Sequence, residues 1–113
     1  MLCGSLNFTN AQEKEGPAPG TILAEIEWLS VLENQKICNL EKPFVSEIEI
    51  LKVLQLGSGL VNVPLEGDTI RVELRKLDDA LPSINEEETY VLIENPCMVA
   101  NESYYTVYFK KEW

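Results

Sequence analysis

Apolar and polar residues alternate most regularly in residues 69–75 of this sequence. A period of two is typical of a β-strand that buries one face and exposes the other. The pattern predicts which side chains share each face: Ile70, Val72 and Leu74 inward, and Arg71, Glu73 and Arg75 outward. This segment is the clearest strand in the chain.

Two earlier segments, residues 24–33 and 46–55, are identical at six of ten positions. Each begins with strict alternation that places glutamates on one face, Glu25 with Glu27 and Glu47 with Glu49, and then becomes continuously apolar. Apolar spacings of three and four residues also fit an amphipathic helix. We favour two long strands, in which a β-bulge or a coil of the strand changes the face that is buried.

The complete pattern predicts a mainly β protein, a small five-stranded OB-like Greek-key barrel, with strands at residues 21–33, 43–56, 68–75, 89–94 and 103–111. Residues 76–88 contain Pro82 and many acids, which predicts a loop with at most one helical turn. Residues 1–20 are rich in glycine and proline and are interpreted as a flexible leader. Residues 21–113 then form a single domain.

Three stretches in residues 44–94 carry a resemblance to a known family: EIEILKVLQLGSG, PLEGDTIRVEL and EEETYVLIEN. In this order they resemble the central part of the netrin-module and tissue-inhibitor-of-metalloproteinase superfamily, which has an OB-type barrel. Members usually have six cysteines, whereas this chain has three. The resemblance therefore implies the barrel, and we transfer no inhibitory residue from it.

Charge and composition exclude several function classes. The chain has 113 residues, with 9 Lys and Arg against 19 Asp and Glu, so its net charge is −10, and it has no histidine. Histidine-based catalysis and histidine-ligated zinc are therefore excluded. A strongly negative field repels nucleic acid and anionic lipid, and no apolar run is long enough to span a membrane. We expect a protein partner with a basic surface, no cofactor and no enzymatic activity.

The three cysteines leave the compartment open. Cys38 and Cys97 would form a disulfide in an oxidising compartment, whereas in the cytoplasm, which we favour for the sequence as given, they would be buried thiols. Cys3 is followed by Gly4 and Ser5, as at the start of a mature lipoprotein, so export remains an alternative.

The candidate binding residues combine an acidic loop with aromatic side chains of the last strand. Five carboxylates lie within residues 78–88, and their spacing does not match a calcium-binding EF-hand loop. The last strand places Tyr104 and Tyr108 on one face and Tyr105 and Phe109 on the other, so one face is core and the other is free for a partner. The predicted binding set is Asp78, Asp79, Glu86, Glu87, Glu88, Tyr104 and Tyr108. No catalytic or metal-binding residue is predicted.

Two functions fit these features. The first is a non-enzymatic protein-binding module that uses its acidic surface and exposed aromatics. The second is a small acidic inhibitor, an immunity or nucleic-acid-mimic protein, whose carboxylates block the basic site of a nuclease or toxin. The salt dependence of binding distinguishes them, because a mimic depends more steeply on charge.

Overall fold

The computed structural model describes residues 17–110, which contain five β-strands and no helix. The strands are β1 (Thr21–Ile37), β2 (Leu40–Leu56), β3 (Thr69–Lys76), β4 (Glu87–Pro96) and β5 (Ser103–Phe109). The predicted mainly β barrel of five strands is confirmed, and the helical alternative for the first two segments is wrong. Since residues 17–110 contain no helix, they contain no helical segment that could cross a membrane.

The strands close into a barrel in the order β1-β2-β3-β5-β4, with β4 returning to β1. All neighbours are antiparallel except β3 and β5, which run parallel, as in the pair Val72 and Tyr105. Closure leaves few unpaired strand edges, which are the usual sites of aggregation in β proteins.

The first two strands are long because they bend around the barrel. Their pairing shifts register between Leu23 and Ala24, between Glu25 and Ile26, and between Trp28 and Ser30. A bulge adds one residue on one strand and increases the local twist, which lets a strand follow a barrel wall. The predicted bulge is therefore present.

The barrel interior is filled by alternate residues of every strand. Trp28 is completely buried, and its ring packs edge-on against Tyr90 at 5.3 Å and against Phe109 at 5.8 Å between ring centroids. Ile26 and Ile50, which are paired across β1 and β2, are also completely buried. The core face of β5 is the one with Tyr105 and Phe109, so Tyr104 and Tyr108 point outward.

Part of the predicted leader contacts the barrel, while residues 1–16 lie outside the described residues. The Gly20 N–H donates to the Ser58 carbonyl at 2.8 Å, and the Glu94 N–H donates to the Gly20 carbonyl at 2.9 Å. A Cβ atom at Gly57 would lie 2.3 Å from the Ala18 carbonyl oxygen, so only glycine allows this approach.

The distal half of the β1–β2 hairpin extends beyond the closed barrel. Pairing of β1 with β4 ends at Glu27, and pairing of β2 with β3 ends at Val45, so the residues between them pair only with each other. We call residues 33–43 the arm. Its two-residue turn, Cys38 and Asn39, has φ of 55° and 64°, and Cys38 is joined by a disulfide to Cys97 after β4.

Glu73 lies on the outward face of β3, as predicted, but it is not exposed to solvent. It is 4% exposed, because the arm covers the outer face of β3. Its carboxylate lies 2.9 Å from Arg75 Nε and 3.5 Å from Lys42 Nζ on the arm, and it accepts a 3.1 Å hydrogen bond from Thr106 Oγ1. Two cations and a hydroxyl therefore compensate the loss of water around this carboxylate.

Replacing Glu73 by alanine is expected to lower the free energy of unfolding by about 3 kcal/mol, because Lys42 loses its partner while still largely covered. Urea unfolding followed by circular dichroism measures this. The control is Glu41→Ala, which removes an exposed carboxylate of the arm and is expected to cost less than about 0.5 kcal/mol. Equal losses in the two variants would contradict the role of the buried carboxylate.

Candidate acidic binding surface

The segment from residue 77 to residue 88, which we call the acidic end, closes one end of the barrel. The Asn85 N–H donates to the Trp28 carbonyl at 2.7 Å, and the Trp28 N–H donates to the Glu86 carbonyl at 3.1 Å. Pro82 is buried beneath the segment. These contacts hold the predicted acidic loop against the buried tryptophan, so its backbone is positioned by the core.

Apolar side chains lie among the carboxylates of the acidic end. Leu77 is 59% exposed, and Leu81 and Ile84 are each 46% exposed. Exposed aliphatic groups that share a surface with charged groups are typical of a binding site with an apolar centre and a polar rim. The sequence pattern indicates only the acids, because three separated aliphatic residues in a loop have no period.

Two of the predicted acids, Glu86 and Glu88, line an open depression of about 490 Å³ together with Leu81 and Phe109. Glu88 accepts a 2.7 Å hydrogen bond from Tyr90 Oη and a 3.3 Å hydrogen bond from Trp28 Nε1. Its position is therefore fixed by two aromatic residues of the barrel, whereas Glu86 is free to turn toward a partner.

Two further predicted acids, Asp78 and Asp79, follow β3. Asp78 Oδ1 accepts a 2.9 Å hydrogen bond from the Ala80 N–H, which stabilises the turn, and Asp79 is exposed. The Leu77 N–H donates to the Phe109 carbonyl at 2.8 Å, so this part of the acidic end also contacts β5.

Glu87 points away from the depression and belongs to a second acidic feature. It is paired with Glu27 across β4 and β1, and Glu27 is in turn paired with Glu49 across β1 and β2. We call these three residues the acidic row. Neighbouring side chains on paired strands lie about 5 Å apart, so the row concentrates negative charge on the outer wall.

Some glutamates of this wall lie beside basic residues, and others face another glutamate. Glu25 is paired with Lys52, and Glu47 lies 3.9 Å from Arg71 Nε. Glu27 instead faces Glu49 directly, which is unfavourable for stability by a few tenths of a kcal/mol or more. Like charges held in register are a cost that a binding role would explain.

The two predicted tyrosines are not together. Tyr108 is 46% exposed and is paired with Arg75, one residue before the strand end that contacts Leu77. Tyr104 lies at the other end of β5, where Lys42 Nζ is 5.2 Å from its ring centroid. The structure therefore associates Tyr108, but not Tyr104, with the acidic end.

A polar network that sequence analysis missed lies at the opposite end of the barrel, around Glu94. Its carboxylate accepts hydrogen bonds from Ser103 Oγ at 2.6 Å and from the N–H groups of Val61 at 2.9 Å and Asn62 at 2.8 Å. Burial alone would raise the pKa of Glu94, but these hydrogen bonds outweigh it and lower the pKa. The network therefore stabilises the fold at neutral pH, and this contribution is lost as the pH falls through that lowered pKa.

Tyr105 belongs to the same network, since its hydroxyl donates to the Asn62 carbonyl. Burial and the negative charge of Glu94 raise the pKa of Tyr105 from 10.0 to about 12. Because the pKa of Tyr105 is higher in the folded protein than in the unfolded chain, the un-ionised hydroxyl contributes stability that is complete below the pKa of the unfolded state. This contribution is lost as the pH rises through the pKa of the folded state.

We expect an alkaline titration followed by tyrosinate absorbance to contain a transition near pH 12 that is absent from Tyr105→Phe. Burial and the neighbouring carboxylate of Glu94 both disfavour the ionised form of the Tyr105 hydroxyl, so it ionises at a higher pH than an exposed tyrosine. Tyr108→Phe, which removes an exposed ring hydroxyl on the same strand, is the control and should retain the late transition. Identical titrations of wild type and Tyr105→Phe would contradict the assignment.

Comparison with known proteins gives no family: no family model, curated protein or solved structure matches this chain. Among residues 17–110, no three carboxylate or thiol groups come together in an arrangement that could hold a metal ion.

Proposed function

We propose that this protein is a non-enzymatic binding module whose acidic end receives a protein partner with a basic surface. One observation carries the proposal, namely that Leu77, Leu81 and Ile84 are exposed within the most acidic segment of the chain. Burial of the aliphatic groups would supply affinity, and the surrounding carboxylates would select and steer a basic partner.

The way this surface is held supports the proposal. The acidic end is anchored to the Trp28 backbone on one side and to the Phe109 carbonyl on the other. A surface that is already ordered loses little conformational entropy when it binds. Tyr108 adds an exposed aromatic side chain on the adjoining strand, and aromatic residues are enriched among those that dominate interface energies.

We also propose that the barrel is of the OB type, as the resemblance to the netrin-module and tissue-inhibitor-of-metalloproteinase superfamily implies. The five-stranded closed order with a parallel β3–β5 contact supports this assignment. OB barrels bind through strand faces and loops, and here the available faces are acidic rather than basic. This charge argues against nucleic acid as the ligand.

A second candidate function rests on the acidic row. Glu87, Glu27 and Glu49 form a linear array of negative charge across three strands. Such an array resembles a run of phosphates and would suit an inhibitor that occupies the basic site of a nuclease or toxin. Its binding would depend on charge alone and would weaken steeply with salt.

The two functions are separated by nuclear magnetic resonance titration of the ¹⁵N-labelled protein with two peptides of equal length. One peptide alternates lysine and leucine, and the other contains lysine alone. The binding-module proposal expects the mixed peptide to shift the amide resonances of residues 77–88 and Tyr108, and to remain bound at about 0.5 M salt. Inhibition by mimicry expects both peptides to shift the acidic row equally and to dissociate at that salt.

Variants test the same surface. Replacing Leu77, Leu81 and Ile84 by serine is expected to weaken binding of the mixed peptide at least about tenfold, since three apolar contacts are lost. The matched control replaces Val61 and Leu65, which are 58% and 68% exposed in the β2–β3 connection. Unchanged affinity in the triple variant, or equal loss in the control, would overturn the proposal.

A further inference from the structure

We propose that the disulfide between Cys38 and Cys97 is a redox latch, which holds the arm over the outer face of β3 and releases it when the two cysteines are reduced. This inference is independent of the proposed binding surface, which lies at the acidic end. It rests on how the arm is attached, on what the arm covers and on the access of reductant to the disulfide.

The arm has little support of its own. Beyond the ends of the barrel ladders its two strands pair only with each other, and an isolated two-stranded hairpin is marginally stable in water. Most of its side chains are exposed, and Ile37 is the one apolar residue of the arm that is buried, at 8% exposure. The arm itself therefore contributes little apolar area to its contact with the barrel.

The backbone of the arm also favours release. Asn34, Cys38 and Asn39 all have positive φ, of 57°, 55° and 64°. Asparagine tolerates this region, but the Cβ atom of cysteine makes it unfavourable. The covalent link and the rest of the hairpin must hold Cys38 in this conformation.

Polar contacts also join the arm to the barrel. Lys42 lies 3.5 Å from Glu73 and over the ring of Tyr104, and Gln35 accepts a 3.4 Å hydrogen bond from Arg71. When the arm opens, Lys42 and Glu73 both regain water, so opening does not leave one buried charge without a partner, as a substitution of either residue would. Opening would also leave Glu73 with Arg75, which belongs to the same strand.

Opening would uncover a specific surface. Glu73 and Thr106 are both 4% exposed on the outer side of the barrel, and Tyr104 lies beside them beneath Lys42. Release of the arm would present the carboxylate, the hydroxyl and the aromatic ring to solvent together. Reduction would thus change which groups the molecule offers to a partner.

The chemistry requires a dithiol reductant, to which both half-exposed cysteines are accessible. A thiolate of the reductant attacks one sulfur, which breaks the Cys38–Cys97 bond and forms a mixed disulfide with the protein. The second thiol of the reductant then displaces the protein sulfur. The reductant is oxidised to a disulfide, and the protein gains two electrons and two protons as two thiols.

The test compares amide spectra of the ¹⁵N-labelled full chain before and after reduction by dithiothreitol, in a Cys3→Ser background that excludes exchange with the third cysteine. We expect resonances of residues 33–43 to move toward unfolded positions, while those of residues 21–27 and 89–93 remain folded. Cys38→Ala/Cys97→Ala should give the reduced spectrum without reductant.

Two results would overturn the latch. If the arm resonances away from the two cysteines do not move, the arm is held without the disulfide. If the whole spectrum collapses, the disulfide supports the barrel itself and is not a latch. Lys42→Met supplies a graded control, because it should increase opening of the reduced protein and leave the oxidised spectrum folded.

Discussion

Replacing Trp28 by alanine lowers the free energy of unfolding by about 4 kcal/mol in our account, because it removes the largest completely buried side chain. The cavity would lie between Tyr90 and Phe109, which pack edge-on against the indole. The substitution would also remove the hydrogen bond from Trp28 Nε1 to Glu88. Urea unfolding followed by circular dichroism measures the loss as a lower midpoint with an unchanged slope.

The controls for this prediction separate the core from the surface. Trp28→Phe keeps an aromatic ring and should lose less than half as much stability if its neighbours close around it. Leu65→Ala, at a side chain that is 68% exposed, should cost less than about 0.5 kcal/mol. A cost for Trp28→Ala as small as that of Leu65→Ala would mean that the tryptophan is not in the core.

Removing the disulfide with Cys38→Ala/Cys97→Ala is expected to lower the free energy of unfolding by about 4 kcal/mol, because the link closes a loop with a sequence separation of 59 in the unfolded chain. This loss concerns global unfolding. It is compatible with opening of the arm, since a single domain of this size has about 5–15 kcal/mol of total stability.

Denaturant unfolding in the Cys3→Ser background measures this difference. The matched control is Cys3→Ser, in which the disulfide is intact. If the disulfide contributed nothing to stability, this variant would unfold at the same denaturant concentration with and without reductant. A shift of the unfolding midpoint by reductant in the control, but not in the double alanine variant, is the expected pattern. Equal midpoints throughout would contradict the expected contribution.

The strands were predictable because their signals are local. Alternation at Ile70, Val72 and Leu74 depends on no distant residue, and the structure places β3 at Thr69–Lys76. The bulges in the β1–β2 pairing were predictable in kind, since the glutamates Glu25 and Glu27 precede a continuous apolar stretch. The position of each bulge depends on the curvature of the barrel wall, which the local alternation of residues does not specify.

The solvent exposure of these side chains depends on long-range packing. Glu73 occupies the outward position that the alternation predicts, but the arm folds back and covers it. The acidic row can be recognised only from the register of β1 with both β2 and β4, because Glu87 reaches Glu27 only when β4 closes the barrel. Local sequence specifies which face a side chain takes and does not specify what covers that face.

The candidate binding set was only partly predictable for the same reason. Acids close together in sequence were expected to act together, yet Glu87 and Glu88 alternate along β4, so one points to the outer wall and the other to the barrel end. In the proposed function the exposed Leu81 and Ile84 would supply affinity, and their place on the surface follows only from the position of the segment over Trp28.

The most direct test of the account is the backbone conformation of residues 21–33 and 43–56, since the binding surface and the arm both require these segments to be barrel strands. Nuclear magnetic resonance should give extended chemical shifts there, with cross-strand contacts between Ile26 and Ile50 and between Ala24 and Tyr90. Helical shifts in these residues, or no contact between β1 and β4, would contradict the closed barrel.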